Sequence, residues 1–386
     1  MNHQITRRTF LDTAFKSTLA FPAMISGAAE GMAGSEQPVR PKYNNLADML
    51  TRLRQEVELP ALAAAVMKGG VVIASGANGV RKVGETTPVT ILDKFHLGSC
   101  TKAMTATLAA MLVEQGRIRW EQTLAQVFPE RAAKMHSSFR GVTLDMLLTH
   151  RSGAAHDGSD YGAANARMIS RRLAYLDLVV NSPPAKEPGT YGYSNAGYII
   201  AGAMLERVTG QVWEELMRQR LFQPLGMTSA GFGPPSKPNQ TDQPWGHVWK
   251  DGRFEPRYGD NPAPLGPAGT VHCALIDYLK FASLHASGGA RGPRLLTPAS
   301  FAKLHRPPAG QDYALGWIVV KRDWAQGQAF NHAGSNTMNY FVVWIAPRID
   351  LCVAVATNAA DGDKKVPQTL DKAVGELIRI AAEFQG

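Results

Sequence analysis

Ser99 and Lys102 stand three residues apart in the run Ser99-Cys100-Thr101-Lys102, directly before an apolar segment. Residues at i and i+3 share one face of a helix, so the serine hydroxyl and the lysine amine can meet there. If its surroundings keep the amine unprotonated, it can accept the hydroxyl proton, and the resulting alkoxide can attack an acyl carbonyl. The pair therefore indicates acyl transfer, although a serine that only caps the helix would look similar.

Tyr193 and Asn195 form a second candidate pair in a glycine-flanked segment that leads into a predicted helix. A phenol can transfer a proton, and a carboxamide can hold a substrate carbonyl or the lysine amine. The same segment approaches the Gly-x-Ser-x-Gly nucleophile elbow of α/β-hydrolases, which would make Ser194 the nucleophile. That elbow follows a buried strand, whereas residues 183–190 contain three prolines and two charged residues, so we disfavour it.

A third candidate segment, residues 331–335, ends a strand-like run with His332, Gly334 and Ser335. Small residues at this place let a substrate backbone lie alongside and let backbone N–H groups point at it. The segment can thus supply half of an oxyanion hole, and the helix start at Ser99 favours developing negative charge at the other half. His332 would present an imidazole to the same space, unless it is simply a polar strand end.

The elements around these segments predict an α/β (α+β) fold. An apolar spacing typical of a helix at residues 45–57 precedes a predicted hairpin, and the C-terminal part contains four strand-like runs. The predicted strands are residues 61–67, 71–75, 314–320, 328–332, 340–346 and 351–357, and the predicted helices include residues 197–208, 212–219 and 371–384. Because hairpin-length connections cannot join parallel neighbours, the sheet should be antiparallel and flanked by helices.

The order of these elements predicts three regions. Strands at both ends of the chain indicate an α/β sheet domain from residues 43–116 plus 290–386, with a mainly helical region, residues 117–289, inserted between them. Residues 1–33 form the third region and are interpreted as an export signal. The long loops at residues 153–186 and 231–267 are expected to form the walls of a pocket.

The first 33 residues resemble a twin-arginine export signal. Arg7 and Arg8 precede a modestly apolar stretch at residues 17–29, although Asp12 stands where a lysine is often found. The stretch is too short for a comfortable membrane span, so no integral span is expected after processing. A periplasmic or secreted location is predicted, with an ordinary flexible tail as the alternative interpretation.

Bulk composition excludes several function classes. The 386 residues are 45% hydrophobic and 19% charged, which is typical of a globular protein, and the net charge of +9 is spread without a basic cluster, so no nucleic-acid partner is expected. The three cysteines, Cys100, Cys273 and Cys352, form no Cys-x-x-Cys pair, and Cys100 is expected to pack rather than react. The histidines form no zinc-hydrolase motif, so neither a metal nor another cofactor is implied.

Together, Ser-x-x-Lys, Tyr-x-Asn and His-x-Gly occur in the order found in a known superfamily. The chain resembles the serine β-lactamase and penicillin-binding-protein superfamily, specifically its class C-like branch, which also holds D,D-carboxypeptidases, D-amino-acid amidases and esterases. Residues 147–153, 222–227 and 268–269 look like the same branch. The resemblance covers about residues 43–385.

This resemblance implies a role for each candidate residue. Ser99 would be the acylated nucleophile, Lys102 its activating partner and Tyr193 the proton shuttle. Asn195 would orient the substrate. The loop at His332, Gly334 and Ser335 would bind it, and the backbone N–H groups of Ser99 and Ser335 would form the oxyanion hole.

His332 is an important departure from the superfamily pattern, since typical β-lactamases carry a lysine at this place. A lysine is a permanent cation that attracts a β-lactam carboxylate, whereas histidine is mostly neutral near pH 7. We therefore expect an exported serine hydrolase of the esterase or D,D-carboxypeptidase type, acting on a small-molecule ester, a peptide or a peptidoglycan-derived substrate. The alternatives are a class C-like β-lactamase and a penicillin- or muropeptide-binding module without turnover. The sequence leaves the oligomeric state open.

Overall fold

The computed structural model describes residues 46–154, 161–360 and 365–384, so the predicted export segment lies outside the described residues. The helices are α1 Ala47–Glu56, α2 Thr101–Glu114, α3 Leu124–Val127, α4 Ser137–Arg140, α5 Leu144–Leu148, α6 Met168–Val180, α7 Asn195–Thr209, α8 Trp213–Met217, α9 Gly266–Gly269, α10 Leu275–Ala286, α11 Pro298–Leu304 and α12 Lys365–Glu383. The strands are β1 Ala61–Lys68, β2 Val71–Gly79, β3 Phe95–His96, β4 Gly231–Phe232, β5 Gly246–Lys250, β6 Arg253–Arg257, β7 Val271–Cys273, β8 Ile318–Arg322, β9 Gly327–Ser335, β10 Tyr340–Ala346 and β11 Leu351–Thr357.

A six-stranded antiparallel sheet with the order β2-β1-β11-β10-β9-β8 organises the molecule. Its strands come from the two ends of the chain, and β1 pairs with β11 across almost the whole sequence. The predicted fold class, a mixed α/β fold with an antiparallel sheet flanked by helices, is therefore confirmed.

Both faces of the central strands are buried, which explains why their sequences are apolar throughout. In β10, Phe341, Val343 and Ile345 belong to one core, and the alternating residues Tyr340, Val342 and Trp344 belong to another. Helices α1 and α12 pack on one face of the sheet, and α10 packs on the other. Because successive side chains of a strand point to opposite faces, one continuous apolar run supplies both cores.

Several predicted boundaries were wrong. The strand expected at residues 314–320 begins only at Ile318, because residues 314–317 form a turn that is closed by an isolated bridge between Tyr313 and Ile318. The loop expected at residues 231–267 contains the hairpin of β5 and β6, whose many polar residues hide the strand pattern. The closing helix begins at Lys365 rather than at residue 371. The division into a sheet domain and an inserted helical region stays a prediction.

The candidate site residues lie at the start of α2 and in the turn before it, around the start of α7 and at the end of β9. The short strand β3 leads through the turn Gly98–Cys100 into α2, which packs against α7, α9 and the turn at its own start. Strand β9 runs beside the same turn. Among the described residues, we find no helix with the length and apolar character needed to cross a membrane.

Candidate active site

Ser99 and Lys102 meet as their spacing predicts. Ser99 lies in the tight turn Gly98–Cys100, and Lys102 occupies the first turn of α2. The Lys102 Nζ atom is 2.9 Å from the Ser99 Oγ atom. The lysine side chain is fully buried and the serine is 5% exposed, so the pair is shielded but open to a small reactant.

The other contacts of Lys102 fix how its amine can be used. Its Nζ atom donates to the Asn195 Oδ1 atom at 2.8 Å and to the Ala268 carbonyl oxygen at 2.9 Å. Both of these oxygens can only accept a hydrogen bond. A neutral amine would donate its two N–H groups to these oxygens, and its lone pair would then point towards Ser99. This is the geometry that a general base requires.

Tyr193 lies next to the lysine. Its ring centroid is 4.9 Å from Lys102 Nζ, and the Ser99 side chain is among the groups that influence its phenol. Burial raises the pKa of the Tyr193 phenol well above its usual value of 10.0. The phenol is therefore protonated near neutral pH and can act as a proton donor.

Asn195 is the first residue of α7, and a cap fixes its position. The residue before it, Ser194, accepts a hydrogen bond from the Gly197 backbone N–H at 3.1 Å, which is the usual contact of a serine at a helix N-cap. No strand precedes this serine, since residues 181–194 contain no regular strand. The alternative elbow with Ser194 as nucleophile is therefore not supported by its surroundings.

Two glycines let the Ser99 turn and the end of β9 approach each other at backbone distance. A Cβ atom on Gly98, whose φ is +49°, would lie 2.3 Å from the Ser335 backbone nitrogen. A Cβ atom on Gly334 would lie 2.6 Å from the Ser99 backbone nitrogen. Only glycine fits such contacts, so the N–H groups of Ser99 and Ser335 are held close together, as an oxyanion hole requires.

His332 is buried and is held by its own neighbours. Its Nδ1 atom is 2.7 Å from the Ala333 carbonyl oxygen, which can only accept, so Nδ1 carries the ring proton. Its Nε2 atom is 3.1 Å from the hydroxyl group of Tyr313, which donates to it. Burial, with a further contribution from the nearby Lys102 charge, lowers the pKa of His332 to about 3. The imidazole is therefore neutral near pH 7.

Three residues that support this site, Tyr313, Ala268 and His150, were not among the predicted site residues, although Ala268 and His150 lie in segments that resemble the superfamily. Tyr313 orients His332, and Ala268 accepts a hydrogen bond from Lys102. His150 lies beside Tyr193, with 4.2 Å between ring centroids, and its Nδ1 atom accepts a hydrogen bond from the Ser194 backbone N–H. His150 has a φ of +57°, in the left-handed region that histidine enters more often than most residues.

Cys100 packs behind the site rather than into it. Burial raises the pKa of its thiol, and its Sγ atom donates to the His332 carbonyl oxygen at 3.5 Å. A thiol of this kind is a poor nucleophile because it rarely ionises. All three cysteines are buried and unpaired by disulfides.

The structure places Lys102 against Ser99, Asn195 and the ring of Tyr193, and it places Gly334 and Ser335 against the Ser99 turn. His332 stands behind this group, next to Tyr313. The arrangement brings a hydroxyl group, an amine, a phenol and two neighbouring backbone N–H groups together, which are the kinds of group that acyl transfer requires.

The amino-acid sequence is similar to those of several known proteins. The chain is 29% identical to penicillin-binding protein 4 of Amycolatopsis lactamdurans over 342 residues, which cover 85% of this chain and 88% of that protein. It is 32% identical to lovastatin esterase of Penicillium rubens over 169 residues, which cover 39% of this chain and 42% of that protein.

A solved structure shows the same fold. The class C β-lactamase of Rhodobacter sphaeroides superimposes with a TM-score of 0.70 at 20% identity, over 86% of this chain and 98% of that chain. The family model described as Beta-lactamase matches residues 46–375, which span most of the chain. The chain belongs to the Beta-lactamase family of the serine β-lactamase and penicillin-binding-protein superfamily.

Proposed function

We propose that this protein is a serine hydrolase that transfers an acyl group from an ester or amide to Ser99 and then to water. The observation that carries the proposal is the contact of 2.9 Å between Lys102 Nζ and Ser99 Oγ. The same amine also donates hydrogen bonds to the Asn195 Oδ1 atom and the Ala268 carbonyl oxygen, which hold it in place. A buried amine next to a serine hydroxyl has an obvious use as a general base.

The steps follow from the contacts. Unprotonated Lys102 accepts the Ser99 proton while the Oγ atom forms a bond to the substrate carbonyl carbon, and the carbonyl oxygen gains negative charge between the N–H groups of Ser99 and Ser335. The bond to the leaving group then breaks, and Tyr193 donates a proton to the departing oxygen or nitrogen. Protonated Lys102 then passes its proton to the Tyr193 phenolate, which restores both side chains. In the second half a water molecule adds to the acyl carbon of the Ser99 ester, one of its protons goes to Ser99 Oγ as the acyl–oxygen bond breaks, and the product leaves as a carboxylic acid.

The neutral state of His332 supports a substrate without a carboxylate at the reacting end. In this site both ring nitrogens are engaged by Ala333 and Tyr313, so the histidine presents no cation to a substrate. We therefore propose an esterase, or a hydrolase of D-amino peptides and amides that carry no free carboxylate beside the scissile bond, before a class C-like β-lactamase. The relatives named penicillin-binding protein and lovastatin esterase support this range of substrates.

A turnover panel with an active-site label tests the proposal. We expect short-chain nitrophenyl esters to turn over faster than a D-alanyl-D-alanine peptide, and a chromogenic cephalosporin to be the slowest. A fluorophosphonate should label Ser99, as read by peptide mass spectrometry, and Ser99→Ala should abolish both labelling and turnover.

Cys100→Ala is the matched control, because this neighbouring thiol is buried and does not touch the reacting atoms. It should keep turnover within about threefold of the parent protein. Full turnover in Ser99→Ala would refute the proposal. Labelling of Ser99 without turnover of any ester would instead favour a binding module, and a cephalosporin turned over fastest would favour a β-lactamase.

We also propose that the protein is exported through the twin-arginine route. The support is the pair Arg7 and Arg8 ahead of a short apolar stretch, together with relatives named as penicillin-binding proteins and β-lactamases. Expression of the full chain in a bacterial host should give a periplasmic protein that lacks the first 30 or so residues in mass spectrometry. Arg7→Lys combined with Arg8→Lys should retain it in the cytoplasm, and an unchanged location would contradict the route.

A further inference from the structure

His96 is a buried histidine directly upstream of the Ser99 turn, and the proposed chemistry does not use it. It ends the short strand β3, whose partner is β7, and its side chain is fully buried. Its Nδ1 atom accepts a hydrogen bond from the Gly98 backbone N–H at 3.1 Å. The ring proton must then sit on Nε2, which faces the Asp260 Oδ1 atom at a distance of 2.8 Å.

Asp260 connects this histidine to the opposite wall of the site. Its Oδ1 atom also accepts a hydrogen bond from the Asn336 side-chain amide at 3.0 Å, and Asn336 directly follows Ser335. The next residue, Asn261, donates from its side-chain amide to the Gly269 carbonyl oxygen at 2.8 Å. One acidic residue therefore contacts the Ser99 side through His96 and the Ser335 side through Asn336.

Asp260 and Asn336 are themselves well fixed. The Asp260 side chain is 4% exposed, and Asn336 is buried. The Asn336 Oδ1 atom accepts from the Met338 backbone N–H at 3.2 Å and from the Asn339 side-chain amide at 3.1 Å. A connection built from buried and multiply bonded groups can transmit position, because its members have few other arrangements.

We propose that His96 and Asp260 are positioning residues that set the spacing of the oxyanion hole, by tying the Gly98–Ser99 backbone to the Ser335–Asn336 backbone. This inference rests on the proposed acyl transfer at Ser99. Neither side chain touches the reacting atoms. Their effect is on the two backbone N–H groups that stabilise the developing negative charge.

The geometry explains why such a tie is needed. Gly98 adopts a φ of +49° and approaches Ser335 at a distance that leaves no room for a side chain, and the turn holding Ser99 is short. Without the His96 acceptor, the Gly98 N–H loses its partner and the turn can shift relative to β9. A shift of about 1 Å in such a site can cost about 100-fold in rate.

The test compares kcat and KM in His96→Ala, His96→Asn and Asp260→Asn. Asp260→Asn should lower kcat in the same direction as His96→Ala, because it weakens the contact with His96. We expect His96→Ala to lower kcat by about 10- to 100-fold while KM changes by less than about threefold, since the transition state is affected more than substrate binding. His96→Asn restores an acceptor near Gly98 without reaching Asp260, so it should recover part of the loss. A boronic acid that forms a tetrahedral adduct at Ser99 should lose affinity in His96→Ala by a factor similar to the loss in kcat/KM.

His272→Ala is the matched control. This buried histidine pairs with His96 across β3 and β7, but its Nδ1 atom contacts the Gly233 carbonyl oxygen, away from the reacting groups. It should lose stability in a thermal scan and keep kcat within about threefold.

Two outcomes would overturn the inference: an unchanged kcat in folded His96→Ala, or a loss in His272→Ala as large as in His96→Ala. A failure of the proposed function would be recognised separately, because the parent protein itself would then neither label at Ser99 nor turn over an ester.

Discussion

Replacement of Lys102 by methionine is expected to lower kcat/KM by about 1,000- to 10,000-fold, because the reaction loses its general base. Methionine has a similar length and fills the buried space of the lysine stem, so the fold should survive. The loss would also leave the Asn195 side-chain oxygen and the Ala268 carbonyl oxygen without their shared donor. Steady-state turnover of a nitrophenyl ester, together with a circular dichroism spectrum, measures both effects.

Lys102→Arg separates the base from the charge. Arginine keeps a cation at this place but does not give up its proton in proteins. If Lys102 acts as a base, the arginine variant should be about as inactive as the methionine variant. Activity within about tenfold of the parent protein would mean that the lysine works as a fixed positive charge, and the proposed first step would have to be replaced.

The acylating pair could be predicted because it depends on local geometry alone. Ser99 and Lys102 are three residues apart at a helix start, and that spacing puts the two side chains on one face, where they can meet. Strands β10 and β11 could also be predicted to the residue, since both faces of each are buried and the apolar runs end where the strands end.

The residues that support the site make contacts between distant parts of the chain, and those pairings could not be predicted from the sequence. Tyr313 reaches His332 from the position directly before the run of residues 314–320, which the sequence predicts to be a strand. Asp260 lies in a loop far from His96 in sequence, and it is identified only once β3 and β7 are paired. The Ala268 contact to Lys102 uses a backbone carbonyl oxygen, a group that every residue carries, so its side chain gives no signal.

Acidification between about pH 6.5 and 5.5 is expected to destabilise the native protein strongly, through histidines that the fold keeps neutral. Burial lowers the pKa of each member of one set, to about 3 for His305 and His332 and about 4 for His247 and His272. The pKa values of His150 and His285 are also lowered, chiefly by burial. These buried histidines titrate well below the usual histidine range.

The sign follows from comparing the folded and unfolded chains. Below about pH 6.5 the histidines of the unfolded chain bind protons, whereas the buried histidines of the native protein stay neutral. The free energy of unfolding therefore falls as the pH falls. The free energy of unfolding recovers its full value about one pH unit above 6.5, where the unfolded histidines are neutral as well. Each such histidine removes about 1.4 kcal/mol per pH unit below its unfolded pKa. Acting together, the six histidines should cost about 6 kcal/mol between about pH 6.5 and 5.5, because each is only half titrated in the unfolded chain at the start of this range, and this is a large part of a typical stability.

Urea unfolding followed by tryptophan fluorescence at about pH 7.5, 6.5 and 5.5 measures this slope. His305→Gln is an informative variant, because His305 Nε2 lies 2.8 Å from His285 Nδ1 and a glutamine amide can donate there without titrating. It should reduce the slope by about one proton, or about 1.4 kcal/mol per pH unit. Added salt should change the slope little, since burial rather than charge repulsion is the main cause. A stability that stays flat down to about pH 5.5, or an unchanged slope in His305→Gln, would show that these histidines accept protons in the native state.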